Sequence, residues 1–107
     1  MDKRYTYIAS DNSATNGTAL SVDNADVIVY RIIVGNPSDG GYVHLFDKVN
    51  PVAGATTSVV VKITQPTAGA GKDWVRDIDF GPDGVKLGEG GNVVTDESDV
   101  TVIWGLS

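Results

Sequence analysis

Val27-Ile28-Val29-Tyr30-Arg31-Ile32-Ile33-Val34-Gly35 and Gly41-Tyr42-Val43-His44-Leu45-Phe46-Asp47 flank the short segment Asn36-Pro37-Ser38-Asp39-Gly40. β-branched and aromatic residues fill the two runs and turn formers fill the gap, so the stretch reads as a hairpin or a corner between strands. The first run is apolar on both faces. Strict alternation puts Ile28, Tyr30, Ile32 and Val34 on one side and Val27, Val29 and Ile33 on the other, with Arg31 the one charge. A strand of this kind has to be covered twice, inside a sandwich whose outer face is also covered or at a subunit contact. Val27, Val29 and Ile33 are accordingly candidates for a protein–protein interface. In the second run Val43 and Leu45 alternate against Tyr42, His44 and Phe46.

The composition extends this reading to the whole chain. Sixteen valines and nine threonines stand against four leucines, two glutamates and one glutamine in 107 residues. Those types favour strands over helices, and thirteen glycines and four prolines supply turns. A single domain of this length buries a core without staples. With no cysteine, disulfides, thiolate zinc sites and cysteine nucleophiles are excluded, and the redox compartment stays open. A net charge of −6 with eight scattered Lys and Arg argues against nucleic acid as a partner. No run approaches the ~20 apolar residues of a membrane helix, and the start lacks a signal-peptide core, as expected of an unprocessed cytosolic product.

Outward from the centre, residues 1–26 are expected to form an N-terminal arm or edge strands, and residues 27–107 a β-sandwich, within one domain overall. Tyr5, Tyr7 and Ile8 form a short strand before the polar run Asp11–Thr18, and Leu20 and Val22 mark another. The arm either lies on a neighbouring subunit, through Lys3, Arg4, Tyr5 and Tyr7, or is an edge strand of its own sheet. Further strands are read at Ser58–Ile63, Lys72–Phe80, Val85–Leu87, Val93–Thr95 and Asp99–Leu106. Gly81-Pro82-Asp83-Gly84 is a turn, with proline presetting φ and the second glycine free to take positive φ. About eight short strands with turn signals between them spell an all-β, antiparallel two-sheet β-sandwich. The missing immunoglobulin cysteine pair and tryptophan spacing favour a jelly roll.

Catalytic chemistry has little to stand on. His44 is the only histidine and has no nucleophile signature beside it, so no catalytic residue is assigned. Asp77 and Asp79 share a strand face about 7 Å apart, and Asp96-Glu97-Ser98-Asp99 is a compact acidic turn, yet neither matches a calcium loop. Neither Gly69–Lys72 nor Gly88–Gly91 opens a helix, so neither is a phosphate loop. No cofactor and no metal ligand set is expected. Trp74, Trp104, Tyr42 and Phe46 offer flat faces for sugar stacking, but Trp74 and Trp104 alternate with aliphatic residues as core or interface side chains do.

Val29–Asn36, the segment Tyr42-Val43-His44-Leu45-Phe46-Asp47-Lys48, Asp77-Ile78-Asp79-Phe80-Gly81-Pro82-Asp83-Gly84-Val85 and the terminal Val-Thr-Val-Ile-Trp strand together resemble small virion structural proteins of tailed bacteriophages, in particular capsid decoration (cement) β-sandwiches. The resemblance covers roughly residues 27–107 and leaves out 1–26, where attachment specificity would reside. It implies a non-enzymatic protein on the virion capsid surface, made in the host cytoplasm. The implied partners are the major capsid protein and further copies of the chain, a homotrimer being favoured. A tail- or head-fibre carbohydrate-binding module for host attachment is the alternative.

Overall fold

The computed structural model describes residues 3–8, 17–21, 26–35, 40–48, 59–65, 77–96 and 99–106. Nine strands are found among them: β1 (Arg4–Ile8), β2 (Thr18–Ala19), β3 (Val27–Val34), β4 (Tyr42–Phe46), β5 (Val59–Thr64), β6 (Asp77–Asp79), β7 (Val85–Leu87), β8 (Asn92–Asp96) and β9 (Val100–Leu106). They make two antiparallel sheets. Sheet A runs β1-β9-β3-β6, with β7 also on β3, and sheet B runs β2-β8-β4-β5. Strands β6 and β7 pair with successive stretches of β3, at Arg31–Ile33 and Val27–Val29, and so form one interrupted strand. Counted that way there are eight strands, and nearly every connection crosses from one sheet to the other. The order is that of a double Greek-key jelly roll.

The interruption is the predicted turn. Gly84 N donates to Gly81 O at 3.2 Å, and Phe80 N donates to Tyr30 O at 2.9 Å, holding the excursion on β3. Gly84 has φ +66°, and a Cβ there would lie 2.5 Å from Ile28 Cγ2 and 2.8 Å from Val29 O. Only glycine fits that approach without displacing backbone.

Opposite the excursion, β3 departs from strict alternation. Val29 pairs with Trp104 and Arg31 with Ile103, so Tyr30 is an extra residue in the β3–β9 ladder. One inserted residue exchanges the two faces of everything after it. Val27 and Val29 therefore share the inner face with Ile32 and Val34, and all four belong to the core. The expected grouping of Val27 and Val29 with Ile33 is corrected: Ile33 lies half-buried on the outer face with Ile28 and Arg31. From sheet B the same core receives Val43, Leu45, Ile63 and Val93.

The first strand is an edge strand of the sandwich. β1 lies against β9 in continuous register from Arg4↔Trp104 to Ile8↔Val100, and Ile8 closes one end of the core. Trp104 points inward at 5% exposure, and its indole N–H donates to Thr6 Oγ1 at 2.9 Å. A buried indole needs such a partner, and here β1 provides it.

Candidate interaction face

Cross-strand register arranges the outer face of sheet A in rows. One row is Tyr5–Ile103–Arg31–Asp79 and the next is Tyr7–Thr101–Ile33–Asp77. Tyr5 and Tyr7 are 70% and 65% exposed, the largest apolar side chains so open among the described residues. Ile103 and Ile33 lie half-buried beside them. The result is an aromatic and aliphatic strip along the free edge of the sheet.

Charges frame that strip. Arg31 faces Asp79 across the ladder but pairs diagonally with Asp77 in a bidentate fork, Nε to Oδ1 at 2.8 Å and Nη2 to Oδ2. Asp79 is drawn away because its Oδ1 accepts from Gly81 N at 2.8 Å, closing the turn. The fork holds the Asp77 carboxyl below its usual pKa and raises that of Arg31, hydrogen bonding being the first cause for both. Lys3 Nζ stands 4.7 Å from the centre of the Tyr30 ring, and the Arg4 guanidinium 5.3 Å from that of Trp104. These are cation–π contacts, which leave an ammonium open to an anion. At the other end of β1, the Tyr7 phenol is raised above its ordinary pKa by desolvation first, then by the charge of Asp99 and a hydrogen bond to it.

Lys3, Tyr5, Tyr30, Arg31, Asp79, Gly81, Pro82 and Ile103 line an open pocket of about 280 Å³. Small-molecule sites are generally larger, ~300–1,000 Å³, and mainly apolar. This one lies at the lower end of that range and is ringed by Lys3, Arg31 and Asp79.

Of the residues expected at an interface, Lys3, Arg4, Tyr5 and Tyr7 come together on or beside β1, and Ile33 lies in the Tyr7 row. Val27 and Val29 do not: both are completely enclosed within the single chain, and their assignment to a contact surface is corrected. The bulge at Tyr30 is the reason. Tyr30, Arg31, Asp79 and Ile103 were missed as members of this face. For Ile103 a signal existed, since it alternates with Thr101 and Gly105 on the polar side of the last strand.

The sugar-stacking residues fare differently. Trp104 is a core residue, Phe46 is completely buried, and Tyr42 is stacked on His44 with ring centroids 4.4 Å apart. Trp74 lies outside the described residues. His44 is buried, and among the described residues neither ring nitrogen has a hydrogen-bond partner. Its pKa is lowered, by burial first and by Lys62 second. Asp77 and Asp79 are engaged by Arg31 and by the turn, and among the described residues no group of three or more His, Asp or Glu side chains is placed to hold a metal ion. Glu97 and Ser98 of the acidic turn lie outside the described residues. No helix among them is long and apolar enough to cross a membrane.

No family model, curated protein or solved structure matches the chain.

Proposed function

We propose that this chain is a non-enzymatic structural protein of a tailed-phage virion, a decoration protein that covers the outer capsid lattice and strengthens contacts between its subunits. The observation that carries this reading is the strip of Tyr5 and Tyr7, open to solvent on an edge strand and backed by Ile33 and Ile103. Exposed tyrosines with an arginine beside them are enriched at protein interfaces relative to ordinary surface. His44, the natural candidate for a base, is stacked among aromatic rings with no partner for its nitrogens among the described residues, which supports a binding role over catalysis. The jelly roll is one of the folds used by capsid proteins, although that scaffold also serves other roles. Many copies on a lattice make individually weak contacts collectively stable, and the partners on this reading are the major capsid protein and further copies of the chain.

Co-sedimentation of the purified protein with assembled shells of the accompanying major capsid protein tests the proposal. The wild-type chain is expected to pellet with shells and raise their resistance to heat. The double variant Tyr5→Lys/Tyr7→Lys is expected to stay in solution. A wild-type chain that never pellets with shells at any concentration overturns the decoration role.

A further inference from the structure

The geometry points to a second copy of this chain as the occupant of the β1 edge, paired antiparallel with its own counterpart across a two-fold axis at Thr6. This deepens the reading of the Tyr5–Tyr7 strip as a protein contact.

Strand β1 ends the order of sheet A, and its backbone hydrogen-bonds only to β9 among the described residues. An open strand edge is a template for another strand unless a charge, proline, bulge or cover blunts it. Arg4–Ile8 contains no proline, its one charge, Arg4, is drawn back over the Trp104 ring, and its register with β9 is unbroken. The opposite edge of the sheet is blunted. There β6 and β7 are parted by the Phe80–Gly84 excursion, which prevents a long regular ladder. Ring closure by β1 against that edge is therefore disfavoured, whereas β1 against β1 needs only the one open edge and gives a self-complementary, closed contact.

Side chains agree with the symmetry. With Thr6 on the axis, Tyr5 falls opposite Tyr7 of the second copy on the outer face, and Tyr7 opposite its Tyr5, giving two cross-strand aromatic pairs. Lys3 of the second copy, swung away from its own Tyr30 ring, enters the row that continues to Asp99, two strand spacings or ~10 Å between backbones, which an extended lysine and an aspartate span together. Lys3 and Asp99 lie at opposite ends of β1 within one chain, since Asp99 bonds the Tyr7 side chain while Lys3 precedes Arg4. Two-fold pairing brings the cationic end of each copy to the acidic end of the other. The same contact merges the two A sheets into one continuous sheet.

Sedimentation velocity over a wide concentration series reads the outcome directly. The wild-type chain is expected to pass from monomer to dimer. Tyr5→Lys/Tyr7→Lys is expected to weaken association at least about tenfold. Lys3→Asp and Asp99→Lys are each expected to weaken it, and the combined Lys3→Asp/Asp99→Lys chain to recover it, because the charges are exchanged rather than removed. Hydrogen exchange on the unaltered protein gives a second readout: the amides of residues 4–8 are expected to slow as concentration rises. A chain that stays monomeric throughout, a trimer, a dimer indifferent to the tyrosine substitutions, or β1 exchange independent of concentration overturns the inference. A dimer that ignores capsid shells removes the decoration role and leaves this pairing standing; a monomer that binds shells does the reverse.

Discussion

The two sheets carry aromatic residues at alternate outward positions, and the two outer faces meet opposite fates. On sheet A, Tyr5 and Tyr7 stand in solvent. On sheet B, His44 and Phe46 of β4, with Val94 beside them on β8, are buried, and Tyr42 closes over His44. Alternation does not explain the contrast, since β1 against β9 and β4 against β8 both keep an unbroken register. What differs is burial: His44, Phe46 and Val94 are closed off from solvent, and Tyr5 and Tyr7 are not. The outer face of sheet B is closed over β4 and β8 but open along β5, where Val60, Lys62 and Thr64 are exposed, whereas that of sheet A is open along β1. An apolar face in this fold therefore signals a partner only after the chain's own cover has been accounted for.

Removing Tyr30 should have the largest effect, because its ring is buried and its carbonyl accepts from Phe80 N, holding the excursion between β6 and β7. Deletion would set Val29 and Arg31 side by side opposite the consecutive Trp104 and Ile103, so the ladder becomes regular and the two faces of β3 are kept. The buried ring and the carbonyl that holds Phe80 N are lost. The chain is expected to keep a cooperative urea transition with Ile32 and Val34 inside, as followed by tryptophan fluorescence and circular dichroism. The cost is about 3–5 kcal/mol for the ring and about 1 kcal/mol for the hydrogen bond.

A sharper test of the two faces sets Phe46→Ala against Tyr7→Ala. Truncating a fully buried phenylalanine is expected to cost about 3–5 kcal/mol in urea unfolding. The Tyr7 change removes one exposed hydrogen bond to Asp99 and should cost about 1 kcal/mol or less, acting chiefly on association. Equal losses from both would erase the distinction between the sheets.

His44 tests the covered face by pH. Its folded pKa lies below the ordinary imidazole value of ~6.5, so below that pH the unfolded chain binds a proton that the folded chain resists. Stability is then complete above the unfolded pKa and falls as pH drops toward the folded one, with a slope of at most about 1.4 kcal/mol per pH unit. His44→Phe should abolish that slope. It should also raise stability by about 1–2 kcal/mol, because two buried nitrogens without partners among the described residues are removed. A wild-type midpoint flat between pH 7 and pH 5 would contradict this account.

The smallest effect is expected where β1 meets the core. Thr6→Val removes the acceptor of the Trp104 indole N–H and should cost about 1 kcal/mol, with a shift in tryptophan emission. A change without either effect would mean that β1 is held by its ladder alone.

Much of the architecture was legible in the residues. Valine and threonine usage, the alternation of Val100, Val102 and Trp104 against Thr101 and Ile103, and the Gly81–Gly84 turn led to an all-β sandwich of about eight strands, since strand propensity, period and turn chemistry are local properties. The exposed side of β1 was legible too, because Tyr5 and Tyr7 share one parity. Tertiary structure alone decided the parity of β3. The insertion at Tyr30 exists only relative to β9 and β7, and a count along one strand has no partner against which to register an extra residue. For the same reason Val27 and Val29 passed from supposed contact to core, while Arg31, Asp79 and Ile103, from three separate strands, became neighbours of Tyr5. Local chemistry determined which segments are strands; pairing between distant segments determined which side of each strand faces water.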